Sequence, residues 1–291
     1  MASDLKRLLP KRFRREGPVI PVVRLHGMIA AGSSPMAQRI SLATTATMIE
    51  KAFDDKRAPA VAFSVNSPGG SPAQSRLIFK RIRDLAEEKN KRVLVFTEDV
   101  AASGGYMIAV AGDEIIADPS SVIGSIGVIS AGFGFVDAIG KLGIERRVHT
   151  AGQNKSILDP FQPEKEEDVE RLKALQLDIH KVFIDLVKAR RGDKLADNPD
   201  LFTGAFWTGE KARELGLVDH IGDMRSFLKA RFGDKTELRL VQPQRNLFGR
   251  RQAAGVISGL AGIDAETLSA SAANGLAGAF EERALWARYG L

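Results

Sequence analysis

The sequence predicts an α/β protein in which short apolar strands alternate with amphipathic helices. Apolar runs of strand length recur between residues 18 and 149, and several are followed by a small-residue turn and then by apolar residues at helical spacing. The composition, 44% hydrophobic and 27% charged over 291 residues, is that of a folded protein with a large core. Strands that alternate with helices are typical of βα crossover units.

The individual elements follow from local patterns. Apolar or β-branched runs predict strands over residues 18–25, 60–65, 92–97, 114–117 and 144–149. Helical spacing or small-residue composition predicts helices over residues 41–53, 72–88, 104–111 and 164–191. The last helix is the clearest, because its apolar residues recur every three or four positions, Pro163 precedes it and Gly192 follows it.

Composition divides the chain into three parts: a basic tail (residues 1–16), a main domain (17–232) and an appendage rich in Ala, Gly and Ser (233–291), which is expected to be partly helical or disordered. The tail carries six basic and two acidic residues, so it accounts for most of the net charge of +6. The rest of the chain is nearly neutral, and nucleic-acid binding is therefore not expected. A solvated tail is the favoured interpretation, and contact with an anionic membrane surface is the alternative.

Several classes of protein are excluded or disfavoured. The chain has no Cys, which excludes disulfides and a Cys nucleophile, and its four His do not have metal-ligand spacing. No signal peptide precedes the first strand and no apolar run reaches about 18 residues, so we expect a cytoplasmic protein without a transmembrane helix.

Two predicted strand-turn-helix junctions could carry chemistry. In the first, at residues 65–71, Gly69 and Gly70 allow the backbone to approach a ligand closely. In the second, at residues 99–106, Ser103 opens a helix beside Gly104, which would expose a hydroxyl next to an unpaired N–H. Taken alone, each pattern is more typical of an ordinary turn or of a helix N-cap.

A nucleophilic Ser103 needs a base. Lys155 lies in a predicted loop 52 residues later, and a neutral Lys amine can accept a serine proton. His149 is also available, but no carboxylate is indicated beside it. For a single loop Lys, a solvated surface charge is the ordinary interpretation.

Four motifs in this order and spacing resemble the signal peptide peptidase A family, also called protease IV: SVNSPGG, AASGGYMIA, VIGSIGVI and TAGQNKSILDPF. The segment LFTGAFWTGEKARELGLVDHIG (201–222) is similar to the closing segment of the family. The resemblance covers residues 17–232 and matches the short, single-domain form.

The resemblance implies a serine endopeptidase with a Clp-protease/crotonase-like α/β fold. Ser103 would be the nucleophile, Lys155 the general base and Ser125 the hydroxyl that orients the Lys amine. The N–H groups of Gly69 and Gly104 would form the oxyanion hole. The implied substrates are apolar peptides such as cleaved signal peptides, the implied assembly is a homo-oligomeric ring, and neither a cofactor nor a metal is implied.

Two other functions stay open at this point. A crotonase-like acyl-CoA enzyme would use the same pair of N–H groups to hold an enolate, but acid/base carboxylates beside the Gly turns are not evident in the sequence. A non-catalytic scaffold is disfavoured because Ser103 and Lys155 are both present.

Overall fold

The computed structural model describes residues 17–32, 39–242 and 283–291, which form a largely parallel sheet covered by helices. The strands are β1 (Val19–His26), β2 (Ala60–Ser67), β3 (Arg92–Ala102), β4 (Glu114–Ala117), β5 (Val122–Gly124), β6 (Phe206–Thr208), β7 (His220–Ile221) and β8 (Glu237–Leu240). Their order is β6-β5-β3-β2-β1-β8, with β4 pairing to the first half of β3 and β7 pairing to β4. Among these described strands, every pair is parallel except β5 with β6.

The helices are α1 (Leu42–Asp54), α2 (Pro72–Glu88), α3 (Gly104–Ala109), α4 (Val136–Lys141), α5 (Glu166–Arg191), α6 (Gly209–Glu214) and α7 (Met224–Phe232). Short 3-10 turns follow α5 at Gly192–Lys194 and Pro199–Phe202. Local capping explains where the first two helices begin. Ser41 and Thr44 form a capping box at α1, and the Ser71 hydroxyl accepts the Gln74 N–H at the start of α2.

The core lies on both faces of the sheet. The larger cluster joins residues such as Phe53, Phe63 and Ile78 between the sheet and helices α1 to α3. A smaller cluster on the opposite face packs Leu228 of α7 against β-strand residues that include Leu94. Because the central strands are buried on both faces, they are continuously apolar and easy to recognise in the sequence.

The predicted α/β class is confirmed, and four of the five predicted strands and all four predicted helices are present with shifts at their ends. The strand predicted at residues 144–149 is wrong, because these residues have no regular structure and are mostly exposed. Charged Glu145, Arg146 and Arg147 leave this segment too few apolar side chains to bury, and it pairs with no described strand.

The sheet also extends past the predicted domain boundary at residue 232, since β8 pairs with β1. Residues 243–282 of the predicted appendage and the basic tail at residues 1–16 lie outside the described part. A helical turn at residues 283–287 leads to Tyr289, which packs with Trp286 against Val100 and Ala102 of β3. No helix in the described ranges is long and apolar enough to cross a membrane.

Residues 129–165, which we name the projecting segment, connect β5 to α5. Their ties are largely local: the Phe135 and Phe161 rings stack 5.5 Å apart, and Arg146 pairs with Asp159 at 3.2 Å. Several large apolar side chains of the segment are nevertheless exposed to solvent: Ile129, Phe133, Phe135, Leu142, Ile144 and Ile157. The first half of α5 has the same character, since Leu175 and Leu177 are exposed and the helix is buried only from Phe183 onward.

Candidate active site

Ser103 occupies a strained turn between β3 and α3. Its φ of 52° and ψ of −123° lie outside the regions that L-residues ordinarily adopt. Both backbone groups are fixed, because the N–H donates to the Gly124 carbonyl at 2.8 Å and the carbonyl accepts the Met107 N–H at 3.0 Å. The side chain does not cap the helix. A half-buried hydroxyl is thus held at the end of the strand without a structural hydrogen bond to the helix it precedes.

Gly69 lies directly against Ser103. A methyl group added at Gly69, whose φ is 108°, would lie 2.8 Å from Ser103 Cβ and 3.0 Å from the Gly104 nitrogen. The neighbouring Gly70 is more tightly crowded, against the Ile29 carbonyl, and Gly104 is crowded against the Ser75 side-chain hydroxyl. Close approach of neighbouring atoms, and not only turn geometry, therefore requires glycine at Gly69 and Gly70.

The N–H groups of the two predicted oxyanion donors, Gly104 and Gly69, differ in their hydrogen bonding. Gly104 is the first residue of α3, so no carbonyl of its own helix can accept its N–H. The Gly69 N–H donates to the Ser67 hydroxyl at 3.2 Å. An oxyanion at this position would have to share or replace the Ser67 hydrogen bond.

Ser125 lies beside Ser103, directly after the end of β5. Because Ala102 of β3 is paired with Gly124 of β5, the two residues that follow these strands are neighbours at the same edge of the sheet. Ser125 is buried, has a φ of 51°, and accepts a hydrogen bond on Oγ from the Tyr289 hydroxyl at 3.2 Å. No local motif in the sequence marks Tyr289, which lies 164 residues from Ser125.

Lys155 lies on an exposed turn of the projecting segment, where its backbone N–H donates to the Gly152 carbonyl at 3.3 Å. Among the described residues, no hydrogen bond joins Lys155 Nζ to Ser103 or Ser125. His149, the other base considered, is exposed on the same segment. The structure thus brings together Ser103, Gly69, Gly104 and Ser125, whereas Lys155 has no hydrogen bond to Ser103 or Ser125 in the described part of the chain.

A polar cluster that the sequence did not predict lies next to the site, on β1, β2 and β3. The Ser64 hydroxyl donates to Glu98 at 2.5 Å and is 2.7 Å from His26 Nε2. Burial lowers the pKa of His26, and this effect outweighs the opposing charge of Glu98. Beside this group, Asn66 Nδ2 donates to Asp99 at 2.6 Å.

Comparison with protein-family models gives a match. The family model "Peptidase family S49" matches residues 86–233, which include Ser103, Ser125 and Lys155. The chain belongs to peptidase family S49. The suspected signal peptide peptidase A family and the serine peptidase class are thereby confirmed.

Named S49 relatives support the assignment. Protease 4 of Salmonella typhi is 34% identical over 210 residues, which are 71% of this chain and 33% of the relative. The chloroplastic serine protease SPPA of Arabidopsis thaliana is 30% identical over 70% of this chain and 31% of its own length.

A more similar relative has a different kind of name. The Na(+)/H(+) antiporter NhaA of Brucella abortus is 62% identical over 99% of this chain, which spans only 39% of that protein. The chain thus corresponds to about two fifths of this relative, and the antiporter name describes that longer protein.

Proposed function

We propose that this S49 peptidase is an endopeptidase that cleaves apolar peptides, such as cleaved signal peptides, through a Ser103/Lys155 dyad and an acyl-enzyme. The observation that carries the proposal is the turn at Ser103. This turn places Ser103 against Gly69 and Gly104, and the Ser103 hydroxyl makes no capping hydrogen bond to the helix that follows. Nucleophilic catalysis needs an accessible hydroxyl and nearby donors for the developing oxyanion.

In the proposed reaction, these groups act in turn. Ser103 Oγ attacks the scissile carbonyl carbon while the neutral Lys155 amine takes the hydroxyl proton. The carbonyl oxygen becomes an oxyanion that accepts hydrogen bonds from the N–H groups of Gly104 and Gly69, the latter released by Ser67. Collapse expels the amine product, which takes the proton from Lys155 and leaves an ester on Ser103. Water hydrolyses the ester with Lys155 again acting as base, and Ser125 orients the Lys amine.

The acyl-CoA alternative requires a free carboxylate near the same N–H groups. Glu98 and Asp99 are close to the site, but hydrogen bonds hold them to Ser64 and Asn66 of β2. These contacts favour the peptidase over enolate chemistry.

We further propose that Lys155 reaches Ser103 from a neighbouring copy in a homo-oligomeric ring. The exposed position of Lys155 supports this arrangement, and so do the apolar side chains of the projecting segment, including Phe133 and Leu142. Exposed apolar side chains grouped on one segment are typical of a surface that is covered by another protein. Each active site would then combine the Ser103 of one copy with the Lys155 of the next.

Labelling with a fluorophosphonate tests the nucleophile. The probe should modify Ser103, as located by mass spectrometry of the peptide that carries it. Ser103→Ala should abolish labelling, whereas the control Ser226→Ala, on exposed α7, should label like the unchanged protein. Labelling at another residue, or labelling that survives Ser103→Ala, would overturn the assignment.

Mixing inactive variants tests the shared site. Ser103→Ala and Lys155→Ala subunits that are unfolded and refolded together should regain part of the activity, because some interfaces then pair an intact Ser103 with an intact Lys155. No recovery from assemblies shown to contain both variants would mean that one chain supplies both residues.

A further inference from the structure

The structure contains a break in the pairing of β2 with β3 that decides which residue faces Gly69. Up to Val65, which is paired with Thr97, the two strands keep one register. At the next pair, Ser67 with Ala101, β3 has advanced by two extra residues. Unbroken pairing would bring Ala101 opposite Gly69, whereas the shifted register brings Ser103 there. A two-residue bulge therefore aligns the nucleophile with the Gly69 turn.

The side chain of Asn66 fills the gap that this bulge leaves in the hydrogen-bond ladder. Its Oδ1 accepts the Val100 N–H at 3.2 Å, and its Nδ2 donates to Asp99 Oδ2 at 2.6 Å. Its backbone carbonyl accepts the Gly27 N–H at 2.9 Å. Asn66 thus ties the bulge on β3 to the end of β1, immediately before the turn that carries Gly69.

We propose that Asn66 and Asp99 are positioning residues for peptide hydrolysis, which set the register that places Ser103 against Gly69. Asn suits this role because it offers one acceptor and one donor in a fixed plane, which match the backbone N–H of Val100 and the carboxylate of Asp99. The charge of Asp99 strengthens its hydrogen bond from Asn66. The Ser64–Glu98 hydrogen bond anchors the other end of the bulge to β2.

This inference rests on the proposed role of Ser103, and it predicts kinetics that a purely structural contact would not give. A displaced nucleophile loses acylation rate while the peptide groove stays intact, so the loss should fall on kcat and not on KM. The same loss should be seen in the rate of fluorophosphonate labelling at Ser103.

Exchange of the hydrogen-bonding groups provides the test. Asn66→Asp removes the donor and places two carboxylates side by side, and it should lower kcat and the labelling rate by about tenfold or more, with KM within about twofold. Adding Asp99→Asn restores one donor and one acceptor, so the double variant should recover to within about threefold of the unchanged protein. The control Asn90→Asp, on an exposed turn after α2, should change neither rate.

A second pair of variants keeps the test decisive if Asn66→Asp does not fold. Asp99 is exposed, so Asp99→Ala should fold, lose the acceptor and label slowly, whereas Asp99→Asn keeps an acceptor and should label normally. Folded Asn66→Asp or Asp99→Ala protein that labels as fast as the Asn90→Asp control would overturn the inference. A folded double variant no faster than Asn66→Asp would also overturn it. Absence of labelling at Ser103 in the unchanged protein would instead overturn the proposed function.

Discussion

Replacing Gly69 with Ala should abolish catalysis at a modest cost in stability. The new methyl group would lie 2.8 Å from Ser103 Cβ and 3.0 Å from both the Ala102 carbonyl oxygen and the Gly104 nitrogen. Unstrained carbon atoms approach to about 3.5–4.0 Å, so the Ser103 turn has to move. The variant would keep the backbone N–H at this position, but the clash moves this N–H relative to Ser103 and Gly104. Loss of one oxyanion donor costs about 10²–10³ in kcat, and displacement of both the donor and the nucleophile should cost a similar amount. We expect kcat/KM to fall by at least about 100-fold.

The stability cost has two parts. A positive φ costs an Ala residue roughly 1–2 kcal/mol, and local overpacking adds roughly 1–3 kcal/mol, so unfolding in urea should show a loss of a few kcal/mol. Gly233→Ala is a matched control, because Gly233 has a φ of 100° and nothing within 4 Å of the added methyl group.

The Gly233→Ala control separates backbone strain from close approach. Gly233→Ala should lose only the roughly 1–2 kcal/mol that a positive φ costs an Ala residue. Its activity should stay within about twofold of that of the unchanged protein. Activity and fluorophosphonate labelling would be compared at a temperature where both variants are folded. A folded Gly69→Ala protein with activity within tenfold of Gly233→Ala would refute the placement of Gly69 in the oxyanion hole.

Three further predictions concern stability and assembly. Burial tends to raise the pKa of Asp219, but hydrogen bonds from Arg191 and Lys194 outweigh burial and lower the pKa. The ionised Asp219 therefore stabilises the fold above the unfolded pKa of about 3.9, and this stabilisation is lost as pH falls through the lower folded pKa. Asp219→Asn should flatten this loss of stability with acid in urea unfolding measured at several pH values. Phe183→Ala should cost about 3–5 kcal/mol in the same unfolding assay because Phe183 is buried, whereas Val182→Ala, at the exposed neighbouring position, should cost less than about 0.5 kcal/mol. Phe133→Ser should shift the protein towards monomer in analytical ultracentrifugation without changing its circular dichroism spectrum, because Phe133 is exposed in the single chain. An unchanged sedimentation profile would contradict the proposed role of the projecting segment.

The sequence allowed prediction of the central sheet because its strands are buried on both faces. β2 and β4 are buried along nearly their whole length, and each begins or continues with a short apolar run, AVAF in β2 and IIA in β4, which predicts a strand. β5, β6 and β7 have only two or three residues each, which is too short for any periodicity to be recognised. They exist because neighbouring strands pair with them.

The candidate site was predictable only in part. Ser103 and Gly69 lie in small-residue turns, which leave a local signal in the sequence. The bulge at Asn66 and the contact of Tyr289 with Ser125 leave none, because both depend on pairing between distant segments. The same limit explains the wrong strand at residues 144–149, where apolar Ile144 and Val148 suggest a strand but the fold provides no partner.

The dyad itself is tested most directly by the kcat/KM of Ser103→Ala, Lys155→Ala and the double variant on one apolar peptide. Residues that act as a unit are not additive, so each single variant should lose as much activity as the double variant. His149→Ala should stay within about twofold of the unchanged protein, and circular dichroism should show that all variants are folded. Lys155→Ala activity within tenfold of the unchanged protein, or a loss of activity in His149→Ala instead, would contradict the Ser103/Lys155 dyad.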